Sequence, residues 1–324
     1  MIQLLIDKNI EKIAYKYKCV FISESKIFIE KNLSDLKINL DSKESDYQIK
    51  IDYIDLILKD FEDIILFKPS EMKNHFSTFL LPSDKGFFKK IVDCLLYKKV
   101  REKYFIQAIK ELQINCCAYC HIQSTNIVNE YYKKNHKGHK IGELKSSKAF
   151  FELDHYYSKS KYPFLCVSFY NLIPICSSCN KSKSNQNIEF DFYIESKSLI
   201  QDFKFNLSKG CVAKYKATQN KEDITIEITH PNNKILKAFD NRFSISKKYN
   251  EHKDIVEELI YKETKFNEIY LNSISNIFKI PFDKSIVNRI ILGNYSEKEE
   301  SLKRPLAKFY QDIAEDIKLI KRLK

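Results

Sequence analysis

The chain has 324 residues, 44% of them apolar, and carries 55 Lys and Arg against 43 Asp and Glu, a net charge of +12. That length and apolar content support a sizeable core in one to three domains and exclude a disordered chain. Nine cysteines, an odd number in a chain of this size, exclude a small disulfide-framed fold and suit a reducing compartment. No apolar run approaches the roughly 18 residues of a membrane span. Met1-Ile-Gln-Leu-Leu-Ile-Asp-Lys meets charge too early for a secretory signal, so a cytoplasmic location and no membrane partner are expected. A basic balance suits nucleic acid. Only five of the basic residues are arginines, however (Arg101, Arg242, Arg289, Arg304 and Arg322). An AT-rich coding genome yields the same lysine bias, so the charge by itself also fits a lysine-coated soluble surface.

In chain order, residues 1–48 mix strand-like runs (Val20-Phe-Ile, Lys26-Ile-Phe-Ile-Glu30) with polar turns. Over 50–67 the stripe Ile54, Leu56, Ile57, Phe61, Ile64 and Ile65 predicts a helix. Ser83-Asp-Lys-Gly86 punctuates the chain, and a long helical pattern follows from Phe87 to about Ile114. Residues 121–148 are polar and include Lys133-Lys-Asn-His-Lys-Gly-His-Lys140; they read as an exposed insertion or hairpin. Strand-like segments follow at 149–155 and 167–176. A short helix is expected after Cys179, with Asn180 near its start. Phe190–Ile194, Phe203–Leu207 and Ile224–Ile228 alternate apolar and polar residues, which predicts a small antiparallel sheet. From about 242 the helical pattern returns, through Ile255, Leu259, Ile260, Phe266, Ile269 and Tyr270. It resumes with Leu306, Phe309, Tyr310, Ile313, Ile317 and Ile320 and ends in Lys321-Arg-Leu-Lys324, which suits a helix C-terminus. No internal repeat is present. The natural divisions are an N-terminal α+β or helical region (1–112), a central core (113–190), and a small sheet with a helical region (191–324).

The central core holds the most specific signal. Cys117-Ala-Tyr-Cys120 and Cys176-Ser-Ser-Cys179 supply four thiolates, which suits a tetrahedral Zn²⁺ with no open position and hence a structural role. Cys116 has the wrong spacing for this set. His136 and His139 are a second candidate metal pair, although a solvated loop suits them better.

Between the cysteine pairs lie Leu153-Asp154-His155 and Tyr170-Asn171-Leu172, and the second pair runs on into Asn180-Lys181-Ser182-Lys183. Phosphodiester hydrolysis needs a base for water, a cation on the phosphate and donors for developing charge. His155 has a suitable imidazole base. Asp154 is a hard oxygen ligand for Mg²⁺, and Asn180 offers a neutral carbonyl oxygen. Lys181 and Lys183 suit phosphate contacts. Asn171 is placed to bond backbone across the loop and hold His155.

The order Asp154-His155, Asn171, then Cys176-x-x-Cys179-Asn180-x-x-Lys183 resembles the HNH (ββα-metal) endonuclease family. The flanking Cys117-x-Tyr-Cys120 is similar to zinc-stapled bacterial members. The resemblance covers roughly residues 113–190. It implies an α+β fold: a central ββα-metal core stapled by a four-cysteine zinc site, flanked by largely helical N- and C-terminal regions and a small antiparallel sheet. It further implies His155 as general base, Asp154 and Asn180 as ligands of one Mg²⁺ or Mn²⁺, Asn171 as the residue orienting the base loop, and Lys183 as a phosphate or neighbouring contact. The last position of the motif is Asn180 where the family name has His. DNA is the implied substrate, cut to a 5′-phosphate and a 3′-hydroxyl. RNA, or zinc-dependent nucleic-acid binding without catalysis, are the alternatives. Arg304-Pro-Leu-Ala-Lys-Phe-Tyr-Gln-Asp-Ile313 resembles flanks of HNH proteins from phage-defence loci, which implies an ATPase or sensor partner.

Overall fold

Residues 8–38 form one 31-residue helix, α1 (Lys8–Ile38), where strand-like runs and turns are expected from the sequence. Asp7 starts it: its side chain accepts the Ile10 amide at 2.8 Å. Ile10, Ile13, Ala14, Tyr17, Phe21, Ser25, Ile29 and Leu33 are its buried positions and fall on one helical stripe. Burial of this helical stripe overrides the strand preference of the β-branched and aromatic runs.

The computed structural model describes residues 2–76, 79, 84–135, 137–184, 186, 188–266 and 284–319. Ser83, His136, Ile269, Tyr270, Ile320 and the Lys321–Lys324 run lie outside the described residues. The fold is α+β, and its sheets are two-stranded. Contacts divide the chain into two compact units: Gln3–Ile114 with Thr125–Ile200, and Met1–Ile2 with Asn115–Ser124 and Gln201–Lys324. Among the described residues no helix is long and apolar enough to cross a membrane.

The first unit begins with β1 (Leu4–Leu5), α1, α2 (Tyr47–Ile64) and α3 (Pro69–Asn74). The expected helix over 87–114 is broken into α4 (Lys85–Cys94), α5 (Tyr97–Lys99), a π-helical turn (Val100–Tyr104) and α6 (Phe105–Leu112). The break falls at Leu96, which is left-handed at φ 56°. Neither Gly nor Pro marks the position, so the sequence gives no warning of it. Tyr17, Phe21, Phe61, Tyr104 and Phe105 pack as neighbouring rings where α1, α2 and α6 meet.

The polar insertion is a hairpin of β2 (Ile127–Tyr131) and β3 (Leu144–Ala149), antiparallel. A second antiparallel pair follows, β4 (Glu152–His155) with β5 (Leu172–Ile175), in the register Asp154↔Ile173 and His155↔Leu172. Helix α7 (Ser177–Lys183) leaves β5 directly and packs on β4. Two strands and a helix thus follow one another as β4–loop–β5–α7. The last strand of this unit, β6 (Tyr193–Ile194), pairs in parallel with β1. The expected three-membered sheet is therefore corrected: Phe190–Ile194 does not join it, because its partner lies near the start of the chain.

In the second unit β7 (Lys204–Leu207) and β8 (Ile226–Thr229) are antiparallel. The helices α8 (Cys211–Thr218), α9 (Asn233–Phe243), α10 (Ile245–Asn250), α11 (Lys253–Lys265), α12 (Lys284–Leu292) and α13 (Ala307–Asp316) complete it. Helix α13 covers the free edge of β7. Asp312 accepts the Phe205 amide at 3.0 Å, and Asp316 accepts the Leu207 amide at 2.8 Å. Amides that no strand pairs are satisfied by carboxylates.

The helical reading of 8–38 predicts unequal costs for two adjacent substitutions. Phe21 is fully buried and Val20 is 42% exposed. Phe21→Ala lowers the unfolding free energy by ~3–5 kcal/mol and Val20→Ala by under ~1 kcal/mol, as measured by urea titration.

Candidate metal centre and candidate active site

The second cysteine pair sits at the start of α7. Cys176 is the N-cap, in extended conformation, and its Sγ accepts the Cys179 amide at 3.5 Å. The first pair lies in a tight knuckle. The Cys117 amide donates to the Gln123 carbonyl and the His121 amide to the Cys117 carbonyl, both at 2.8 Å. His121 turns the chain back at φ 55°. Tyr249 anchors the knuckle by donating to the Cys120 carbonyl at 2.7 Å.

The ligand atoms of Cys117, Cys120, Cys176 and Cys179 lie within 4.8 Å of one another, and all four residues are buried. An ion bound by four thiolates at about 2.3 Å separates them by about 3.8 Å. These four buried cysteines are positioned to bind a metal ion. Cys116 is outside the group. Its thiol faces the Leu302 carbonyl at 3.6 Å, and burial pushes its pKa up. His139 stacks on Tyr132 and pairs with Glu143 in the exposed hairpin.

The second constellation is built on β4 and the loop to β5. Asp154 and His155 are both only 6% exposed. His155 Nε2 lies 3.1 Å from the Cys166 carbonyl. A carbonyl only accepts, so Nε2 carries the proton and the lone pair falls on Nδ1. Burial, assisted by the nearby Lys159 and Lys183 charges, holds the imidazole pKa down at about 3. The ring is therefore neutral throughout the physiological range.

The loop that presents Cys166 is held from inside and outside. Inside, the fully buried Asn171 accepts the Tyr157 amide at 2.7 Å and donates to the carbonyls of Tyr157 (3.1 Å) and Leu165 (2.9 Å). Outside, Tyr17 on α1 donates to the Val167 carbonyl at 2.8 Å. Ser168 Oγ donates to the Ile64 carbonyl at 2.6 Å, and the Phe169 amide donates to the Ile65 carbonyl at 2.8 Å.

Helix α7 supplies the remaining groups. Lys183 is 2% exposed; its Nζ donates to Asp154 Oδ1 at 2.9 Å and to the His155 carbonyl at 3.0 Å. Asn180, three residues earlier on the same helix face, is half-buried. Lys181 is exposed. Asp154, His155, Asn171 and Lys183 are thus brought into one connected group, with Asn180 on the adjoining turn and Lys181 at the surface.

Three side chains with no motif of their own complete the surroundings. Tyr97 packs its ring on His155 at 4.7 Å between centroids and donates to the Leu153 carbonyl at 3.3 Å. Lys159 Nζ lies over the Tyr97 ring, 4.2 Å from its centroid, and partial burial lowers its pKa. Arg101 pairs with Glu152 at 2.9 Å.

Two outcomes follow. Purified protein holds one metal ion per chain by elemental analysis, and Cys176→Ser loses it together with part of its thermal stability. Asn171→Ala strands the Tyr157 amide and the Leu165 carbonyl and costs ~2–4 kcal/mol in urea unfolding. No family model, curated protein or solved structure matches this chain, so the functional reading rests on residues and geometry.

Proposed function

We propose that this chain is a metal-dependent endonuclease of the ββα-metal (HNH) type, acting on DNA, with a structural zinc ion in the four-cysteine group. One observation carries the reading. At the end of β4 a neutral histidine of fixed tautomer adjoins a buried carboxylate, under a helix face bearing Asn180 and Lys183.

In this reading His155 Nδ1 takes the proton of the attacking water, because Nε2–H is committed to the Cys166 carbonyl. Tyr97 covers the ring and excludes competing solvent from it. Asp154 and Asn180 are the oxygen donors that would hold Mg²⁺ or Mn²⁺. When bound, that ion supplies positive charge to the phosphate and its leaving oxygen. Lys183 keeps the Asp154 carboxylate oriented. Lys159 and Lys181 give the surroundings the positive charge that the polyanionic backbone requires.

The test is cleavage of supercoiled plasmid with Mg²⁺ or Mn²⁺. Wild type converts it to open circles. His155→Ala lowers the rate by about 10²–10⁴-fold while retaining zinc and fold, and Asn180→Ala raises the metal concentration required. Cleavage by His155→Ala at the wild-type rate would remove the base from the account, and cleavage of RNA in place of DNA would move the substrate assignment. The pH profile is a second check. His155 protonates only near its lowered value of about 3. Lowering the pH through the ordinary imidazole value of about 6.5 therefore leaves the base competent and produces no acid limb there. A limb centred at about 6.5 would point to a solvated histidine instead.

A further inference from the structure

We infer that the β2–β3 hairpin is a duplex-binding arm that docks in the major groove of DNA; this rests on the nuclease reading above and names how that site is held on its substrate. The hairpin is a two-stranded ribbon whose strands pair only with each other among the described residues. Its root is fixed: Lys110 Nζ on α6 donates to Asn129 Oδ1 at 2.6 Å and to Ser147 Oγ at 3.2 Å. Its tip is folded as well. The Tyr132 amide donates to the Glu143 carbonyl at 3.0 Å, and the Gly142 amide to the Tyr132 carbonyl at 2.9 Å. The His139 ring stacks on Tyr132 at 4.6 Å, and the Ile141 amide donates to Asn135 Oδ1 at 3.2 Å. Such a tip is preorganised, which reduces the ordering cost of binding.

The arm is charged for a polyanion. Lys133, Lys134, Lys137, Lys140, Lys145 and Lys148 are exposed. Among the described residues Lys145 pairs with Glu130 at 3.7 Å, and the four tip lysines make no ion pair. The ribbon also carries apolar side chains in solvent, with Tyr131 52%, Ile141 66% and Leu144 53% exposed. Tip lysines outside any ion pair among the described residues and apolar contact surface on one ribbon suit a groove lined by phosphates and base edges. The major groove of B-form DNA admits a two-stranded ribbon, whereas that of A-form RNA is too narrow for protein groups to read. The five residues of β2 reach about 17 Å. The root is close to the chemistry: β3 ends at Ala149 and Asp154 follows five residues later, at most about 18 Å of chain.

The test uses the full chain with zinc retained and Ca²⁺ in place of a cleavage-supporting ion, with binding of a short labelled duplex read by fluorescence anisotropy. The ribbon variant is Lys133→Ala/Lys134→Ala/Lys137→Ala/Lys140→Ala. A control, Lys8→Ala/Lys12→Ala/Lys31→Ala/Lys43→Ala, removes the same charge from other exposed lysines. The ribbon variant is expected to bind DNA about tenfold or more weakly at physiological salt, with a salt slope shallower by about 2–4. The control stays within about threefold of wild type, and wild type prefers duplex DNA to duplex RNA. Equal losses in both variants, wild-type affinity of the ribbon variant, absence of duplex binding by wild type, or a preference for duplex RNA would each overturn the arm. Plasmid cleavage separates the two ideas. Ribbon-dependent binding without any cleavage leaves the arm and removes the nuclease; cleavage with ribbon-independent binding does the reverse.

Discussion

A single hydrogen bond, from His155 Nε2 to the Cys166 carbonyl at 3.1 Å, sets the character of the candidate site. It decides which imidazole nitrogen holds the proton, and burial of the ring keeps the other nitrogen free of one. A backbone carbonyl can do this only if its loop is rigid. Asn171 supplies that rigidity from within, spending its side-chain amide on the chain at Tyr157 and Leu165. Replacing it changes no charge, yet it would free the acceptor that fixes the tautomer.

The helices of the same unit extend this constraint outward. Tyr17 of α1 and the end of α2 grip the loop at Val167, Ser168 and Phe169. Phe21 and Phe105 hold Tyr17 in the aromatic core. Tyr97, next to the break at Leu96, is delivered onto the histidine by the change of helix direction there. The N-terminal helices therefore act as the mould for a short ββα segment whose own sheet has only two strands. A two-stranded pair is marginal alone and needs a helix or further packing to persist.

Much of this was legible in the sequence where local chemistry determines the outcome. Two CxxC pairs gave a buried four-cysteine group. The stripe over 50–67 gave α2, and the polar insertion gave a hairpin. What escaped depends on distant partners. The runs around Val20 and Phe28 have strand composition, and only the buried face against α2 and α6 makes them helical. Tyr193–Ile194 takes a parallel partner at Leu4–Leu5, a pairing no alternation pattern encodes. In the candidate site, the residue types at Asp154, His155, Asn171 and Lys183 could be read off. The pairing of Lys183 with Asp154, the cover by Tyr97 and the role of the Cys166 carbonyl could not, since a carbonyl is common to every residue and carries no sequence signature.

The measurement that tests the central claim most directly is the chemistry of the broken ends. Supercoiled plasmid treated with the zinc-loaded chain and Mg²⁺ is purified and incubated with DNA ligase. Hydrolysis by water activated at His155 predicts open circles carrying a 5′-phosphate and a 3′-hydroxyl, which the ligase reseals to closed circles. Plasmid that remains supercoiled throughout, or nicks that ligase cannot reseal, would contradict it.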